Sequence, residues 1–119
     1  MTTILVVDDE PLIRDALVDI LRDEGYTVVT ADDGRAALEM IQQEAPALVL
    51  MDVMMPRMDG RAAFQEMQAH ADHGRLPVIL MSAMANPADL DPEITAFLRK
   101  PIELDLLLAL VARTLASTS

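Results

Sequence analysis

The feature that most constrains the fold is a regular alternation of two kinds of segment. Short runs built only from apolar residues, such as 4–7 and 47–51, are each followed by a longer stretch with apolar residues at helical spacing. A strand that is apolar on both faces must be covered on both sides, which is the position of a strand in a parallel sheet between helices. The sequence therefore predicts a single α/β domain over residues 1–119.

Five strands and at least four helices are predicted. The strands are 4–7, 27–30, 47–51, 77–81 and 95–99, and the helices are 12–24, 35–44, 61–71 and 103–115. Between the last two strands, Asn86 and Pro87 are typical of a cap followed by a first helical position. Pro92 then disfavours helical geometry at Asp91. A helix in this segment can therefore have only one or two turns, and we expect the segment to be mobile.

Composition excludes several classes of protein. There is no cysteine, so neither a disulfide framework nor a thiolate metal site can form. The net charge of −11 argues against nucleic-acid binding by this chain and favours cations or basic partners. No run approaches the roughly 20 apolar residues of a membrane span, and no basic segment precedes the first apolar run. We expect a cytoplasmic protein that does not bind membranes.

Polar residues follow four of the five predicted strands at the point where each strand ends. In parallel sheets, ligands bind at this carboxyl edge, so the side chains that follow the strands should share one pocket. Each residue alone has an ordinary structural role, as a helix cap, a helix-dipole partner or a solvated lysine. Their conjunction at one edge predicts a functional site made of Asp8, Asp9, Glu10, Asp52, Ser82 and Lys100.

The chemistry of this set points to phosphoryl transfer. Clustered carboxylates repel one another, and a divalent cation such as Mg²⁺, which prefers oxygen ligands, relieves the repulsion. A carboxylate beside Mg²⁺ is a possible nucleophile toward phosphorus. The Lys100 ammonium, the Ser82 hydroxyl and the backbone N–H of Ala83 could then bind the phosphoryl oxygens.

The sequence resembles the receiver domains of two-component response regulators, including the chemotaxis type. The matching stretches are 4–10, 48–60, 78–83 and 97–101, and the resemblance covers essentially the whole chain. It implies a flavodoxin-like, doubly wound, five-stranded parallel sheet of order 2-1-3-4-5 with helices on both faces. The fourth helix of that topology is expected to be short or degenerate here.

The resemblance also implies a role for each site residue. Asp52 is the phosphoacceptor. Mg²⁺, or Mn²⁺ in its place, is held by the side chains of Asp9 and Asp52 and by the backbone carbonyl of Met54, while Asp8 acts through water. Two residues form the switch: the Ser82 hydroxyl moves toward the phosphoryl group, and the rotamer of the Phe97 ring changes with that movement. Lys100 pairs with a phosphoryl oxygen, and the peptide between Lys100 and Pro101 is expected to be cis.

The implied function is a phosphorylation switch. Asp52 takes the phosphoryl group from a phosphohistidine of a histidine kinase or a histidine phosphotransfer protein, and the loops after strands three and four and the Phe97 region then change conformation. The chain is expected to be a monomer, either stand-alone or part of a larger protein. It is expected not to be an enzyme beyond assisting its own phosphorylation and dephosphorylation.

Three other functions fit the residues less well. A phosphatase with an aspartyl-phosphate intermediate needs an acid two residues after the nucleophile, where this chain has Met54. A flavin carrier needs a phosphate-binding first loop, which Asp9 and Glu10 would oppose. A degenerate receiver that only binds a partner would lack site residues, and none is lost. His70 and His73 are expected to be surface residues without a metal role.

Overall fold

A parallel sheet of five strands forms the centre of the molecule. The computed structural model describes residues 2–55, 57–69 and 76–117. The strand order is β2-β1-β3-β4-β5 and every neighbouring pair is parallel, which confirms the predicted flavodoxin-like order. The strands are β1 (Thr3–Val7), β2 (Thr27–Ala31), β3 (Leu48–Asp52), β4 (Val78–Ser82) and β5 (Ala96–Arg99).

Among the residues that the structure describes, four α-helices cover the sheet, with two on each face. They are α1 (Pro11–Asp23), α2 (Gly34–Glu44), α3 (Gly60–Ala69) and α4 (Leu104–Ser117). Proline begins α1, where its missing N–H costs no hydrogen bond. The last helix runs to Ser117, two residues beyond the predicted end. No helix among the described residues is long and apolar enough to cross a membrane.

The core consists of two apolar clusters separated by the sheet. Successive strand residues point to opposite faces, so Leu5 and Val7 enter one cluster while Ile4 and Val6 enter the other. The first cluster lies under α2 and α3, and the second lies under α1 and α4. Burial on both faces explains why β1, β3 and β4 are almost wholly apolar, which is the pattern from which the sheet was predicted.

The connection from β4 to β5 contains no α-helix. Its described residues form one 3-10 turn, Pro87–Asp89, and Asn86 caps this turn by accepting a hydrogen bond from the Ala88 N–H at 3.0 Å. Leu90 is buried in the core cluster under α2 and α3. The predicted short or degenerate helix is therefore confirmed. His70 and His73 lie outside the described residues, so their predicted surface position remains a prediction.

Candidate functional site

Three acidic side chains meet at the carboxyl edge of the sheet. Asp8 follows β1 and is 0% exposed, and Asp52 ends β3 and is 4% exposed. One carboxylate oxygen from each of Asp8, Glu10 and Asp52 lies within 4.8 Å of the others. The Glu10 N–H donates to Asp8 Oδ1 at 3.0 Å, and the Met54 N–H donates to Asp52 Oδ1 at 3.3 Å. The loops after β1 and β3 thus hold two buried carboxylates close together.

Lys100, which follows the edge strand β5, contacts both of these carboxylates. Its Nζ donates to Asp8 Oδ2 at 3.0 Å and lies 3.4 Å from Asp52 Oδ2. The Lys100 N–H donates to the Ser82 carbonyl at 3.0 Å, which fixes the end of β5 against the end of β4. The peptide between Lys100 and Pro101 is cis, as predicted. Lys100 therefore joins Asp8 and Asp52 through its side chain, and Ser82 adjoins Lys100 through its backbone.

Burial and neighbouring charges shift the pKa values of Asp52 and Lys100. Burial raises the pKa of Asp52, the charge of Lys100 lowers it, and the charge of Asp8 raises it, so that the pKa lies above its ordinary value. Burial alone would lower the pKa of Lys100. The hydrogen bond to Asp8 and the charge of Asp52 outweigh burial, so the pKa of Lys100 lies above its ordinary value. Burial is the largest of the effects on Asp52, so its raised pKa reflects enclosure of the carboxyl more than the charges around it.

Ser82 ends β4 with its hydroxyl buried. Its Oγ accepts hydrogen bonds from the backbone N–H groups of Met84 and Ala85 at 3.0 and 2.9 Å. The hydroxyl hydrogen remains for donation to another group. The loop after β4 is thus folded around the one side chain that the sequence predicts to follow a phosphoryl group.

Phe97 is partly buried and packs against the core cluster under α2 and α3. The guanidinium of Arg99 lies 5.0 Å from the centre of the Phe97 ring, within the range of a cation–π contact. Arg99 Nη1 also donates to the Ala83 carbonyl at 3.2 Å. This contact was not predicted from the sequence. Residues two apart on a strand share a face, so the spacing of Phe97 and Arg99 was the signal for it.

The metal ligands implied by the resemblance are only partly brought together. Asp8 and Asp52 belong to the cluster of three acids, whereas Asp9 is exposed and its carboxylate does not belong to that cluster. Glu10 does belong to it, although the resemblance implies no ligand role for Glu10. Met54 is 52% exposed and adjoins the site through its N–H bond to Asp52. Asp9 and the Met54 carbonyl as ligands remain predictions.

The residues present fit a divalent cation of the magnesium type. The donor atoms of the cluster are all carboxylate oxygens, and Mg²⁺ is held in proteins by one or two carboxylates with water completing its shell.

Comparison with known proteins decides the family. The model of the response regulator receiver domain matches residues 4–112. The chain belongs to this family. The receiver domain is 37% identical, over 98% of its length, to the response regulator MprA of Mycolicibacterium vanbaalenii, and it spans 51% of the length of that relative.

Two solved structures are similar over nearly the whole receiver domain. The signal receiver domain of a histidine kinase from Syntrophus aciditrophicus has a TM-score of 0.91 and 31% identity, with 98% of this chain and 92% of that chain covered. The receiver domain of a Pseudomonas aeruginosa sensor histidine kinase has a TM-score of 0.88 and 27% identity, with 97% and 98% covered. That second structure has a magnesium ion coordinated in its active-site cleft.

Proposed function

We propose that this receiver domain is a phosphoacceptor switch in a two-component or phosphorelay system. Asp52 accepts the phosphoryl group from a phosphohistidine of a histidine kinase or a histidine phosphotransfer protein. The observation that carries the proposal is the position of Asp52, buried at the end of β3 beside Asp8 and within 3.4 Å of the Lys100 ammonium. Two buried carboxylates side by side, Asp8 and Asp52, repel each other. Such an arrangement is more typical of a functional site than of a structural one.

The transfer needs positioning and charge neutralisation more than acid–base chemistry. An oxygen of the Asp52 carboxylate forms a bond to phosphorus, the bond from phosphorus to the histidine nitrogen breaks, and the electron pair returns to the imidazole. The Lys100 ammonium, the Ser82 hydroxyl and the Ala83 N–H bind the phosphoryl oxygens. When Lys100 and Ser82 turn toward the phosphoryl group, they leave or rearrange their contacts with Asp8 and the loop after β4.

The cation of this site is proposed to be Mg²⁺, with Mn²⁺ able to replace it. The residues that would hold it are Asp9 and Asp52 through their side chains and Met54 through its carbonyl, with Asp8 acting through water. When bound, the cation neutralises charge on the phosphoryl oxygens. Support comes from the all-oxygen acidic cluster and from the magnesium ion in the similar Pseudomonas aeruginosa receiver.

The conformational response is proposed to run through Ser82 and Phe97. Ser82 Oγ accepts hydrogen bonds from two N–H groups of its own loop, so its movement toward a phosphoryl group would change the shape of that loop. Phe97 has no hydroxyl, and its response would therefore depend on packing against the core and on its contact with Arg99.

The test is phosphorylation of the purified domain by a small phosphodonor in the presence of Mg²⁺, measured by intact mass. The wild type should gain one phosphoryl group and Asp52→Asn should gain none. Asp59→Asn, which changes an acid in the same loop, is the matched control and should be labelled normally. Full labelling of Asp52→Asn would overturn the assignment. Failure of the wild type to be labelled would favour the alternative of a degenerate receiver that only binds a partner.

The phosphohistidine donor is proposed to dock beside α1. An apolar groove of about 330 Å³ lies between α1 and the residues that follow β5, and Lys100 lines it as well as contacting Asp52. Leu12 lies at the edge of this groove and is 87% exposed. Leu12→Asp should slow transfer from a protein donor and leave phosphorylation by a small phosphodonor unchanged. Equal slowing with both donors would show that the change damaged the site itself.

The remaining parts of the proposal concern context. The domain is proposed to act in the cytoplasm as a monomer, without binding nucleic acid or membranes through its own residues, and to be a signalling module rather than an enzyme. The net charge of −11 supports the lack of nucleic-acid binding.

A further inference from the structure

The loop that carries Met54 is held at its far end by close backbone packing. This β3–α3 loop comprises residues 53–55 and 57–59 of the described chain. The Gly60 N–H donates to the Val53 carbonyl at 2.8 Å, and a Cβ added at Gly60 would lie 2.5 Å from the Asp52 carbonyl oxygen. Only glycine fits this approach, so the loop closes tightly on the end of β3.

A second contact holds the middle of the loop against the start of α2. Asp33 caps α2 through a 2.8 Å hydrogen bond from the Ala36 N–H to its Oδ1, and its other oxygen lies 3.4 Å from Arg57 Nε. The Asp33 side chain is 6% exposed, whereas that of Arg57 is 75% exposed. Arg57 has φ of +67°, a conformation that non-glycine residues rarely adopt. The proposed phosphoryl chemistry uses neither residue.

Gly34 makes the third contact. It is buried as the first residue of α2, and a Cβ added there would lie 2.6 Å from the Met58 carbonyl oxygen and 3.0 Å from Met58 Cγ. The loop backbone therefore rests directly on the start of α2. Any side chain at residue 34 would displace Met58, and Met58 is four residues from Met54 in the same short loop.

We propose that the start of α2, formed by Asp33 and Gly34, positions the β3–α3 loop for cation binding. Asp33 and Gly34 are positioning residues: they act on the proposed cation site through Arg57 and Met58, and the Met54 carbonyl depends on the resulting loop shape. The inference rests on the proposed function, because it concerns the cation of that site. Outer residues that orient ligands commonly change metal affinity by about 10- to 100-fold.

The first test is Gly34→Ala, with Mg²⁺ affinity measured by calorimetric titration. Alanine favours helix over glycine, so a variant that altered only α2 would remain as stable as the wild type or gain stability. The added Cβ should instead displace the loop, weaken Mg²⁺ binding about tenfold and shift the amide resonances of Met54 and Gly60 without metal. Arg35→Ala, on the exposed side of the same helical turn, is the matched control and should leave both measurements unchanged.

The second test keeps the fold while removing one charge. Asp33→Asn retains the side-chain oxygen that caps α2 but loses the pairing with Arg57, and Arg57→Gln removes the other partner. Each change should weaken Mg²⁺ binding about two- to fivefold, and the double variant should be no weaker than either single one. Asp32→Asn is the control because it removes the same charge from the neighbouring exposed residue, and it should have a smaller effect.

The outcomes separate this inference from the proposed function. If the wild type binds Mg²⁺ and is phosphorylated while Gly34→Ala and Asp33→Asn bind Mg²⁺ as tightly, the positioning role is wrong and the proposed function stands. If the wild type binds no Mg²⁺, the proposed cation site and this inference both fail. If Asp32→Asn weakens binding as much as Asp33→Asn, the effect is one of general charge and the positioning role is again refuted.

Discussion

Replacing Lys100 by methionine should destabilise the protein more than most single substitutions of a charged residue. Lys100 Nζ lies 3.0 Å from Asp8 and 3.4 Å from Asp52, and its side chain is only 12% exposed. At an effective dielectric constant of about 20, each pair attracts by about 5 kcal/mol before the cost of desolvation. Methionine keeps the apolar stem in place but leaves two buried carboxylates facing each other. Removing one partner of a buried pair typically costs about 3–5 kcal/mol.

The loss should depend on pH and on divalent cations in a defined direction. The pKa of Asp52 is raised, so the folded state binds this proton more tightly than the unfolded state and Asp52 costs less stability as the pH falls. Without Lys100, which lowers that pKa, the effect becomes larger. The deficit of Lys100→Met relative to the wild type should therefore shrink on mild acidification and on addition of Mg²⁺.

Urea denaturation of both proteins at neutral and mildly acidic pH, with and without Mg²⁺, measures this. Arg113→Met is the control, because it removes a positive charge from the exposed side of α4. A deficit for Lys100→Met below about 1 kcal/mol, the range of exposed ion pairs, would refute the reasoning. A deficit that grew on acidification would refute the sign of the linkage.

Three further predictions follow from the site and from the connection between β4 and β5. Asp9→Ala should weaken Mg²⁺ binding at least about tenfold while the melting temperature stays the same, and unchanged affinity in a calorimetric titration would remove Asp9 from the ligand set. Met54→Glu should speed the loss of phosphate from Asp52. The apolar side chains of Met54 and Met84 can shield the phosphate but cannot orient an attacking water, whereas a glutamate can. An unchanged rate of decay of the phosphorylated mass would contradict this. Amide hydrogen exchange between residues 83 and 95 should be fast and should slow on phosphorylation, whereas slow exchange before phosphorylation would show that this segment is already rigid.

The strands could be predicted from the sequence because burial on both faces leaves a simple signature. Runs such as Leu48 to Met51 contain no polar residue, and the chain has few other ways to bury them. The polar residues after those runs then had to lie at one edge. In the structure the Lys100 ammonium contacts both Asp8 and Asp52, while Ser82 adjoins Lys100 through its backbone carbonyl, and the functional roles of these residues stay predictions.

Two contacts between individual side chains were not predicted from the sequence. The contact of Arg99 with Phe97 and that of Arg57 with Asp33 each depend on side-chain rotamers and loop paths. Periodicity carries no information about either. The short turn between β4 and β5 was predictable because the cap at Asn86 and the proline at Pro92 act on the local backbone.

The strand-end placement of the site determines which insertions and deletions the gene can tolerate. A residue added within β4 would shift Ser82 by about 3.3 Å and turn its side chain to the other face of the sheet. A residue added after Ala85 would leave Ser82 and its partners in β5 where they are, because Ser82 pairs with Arg99 through the sheet and not through the intervening loop. Length variation should therefore accumulate in the connection between β4 and β5 while strand lengths stay fixed.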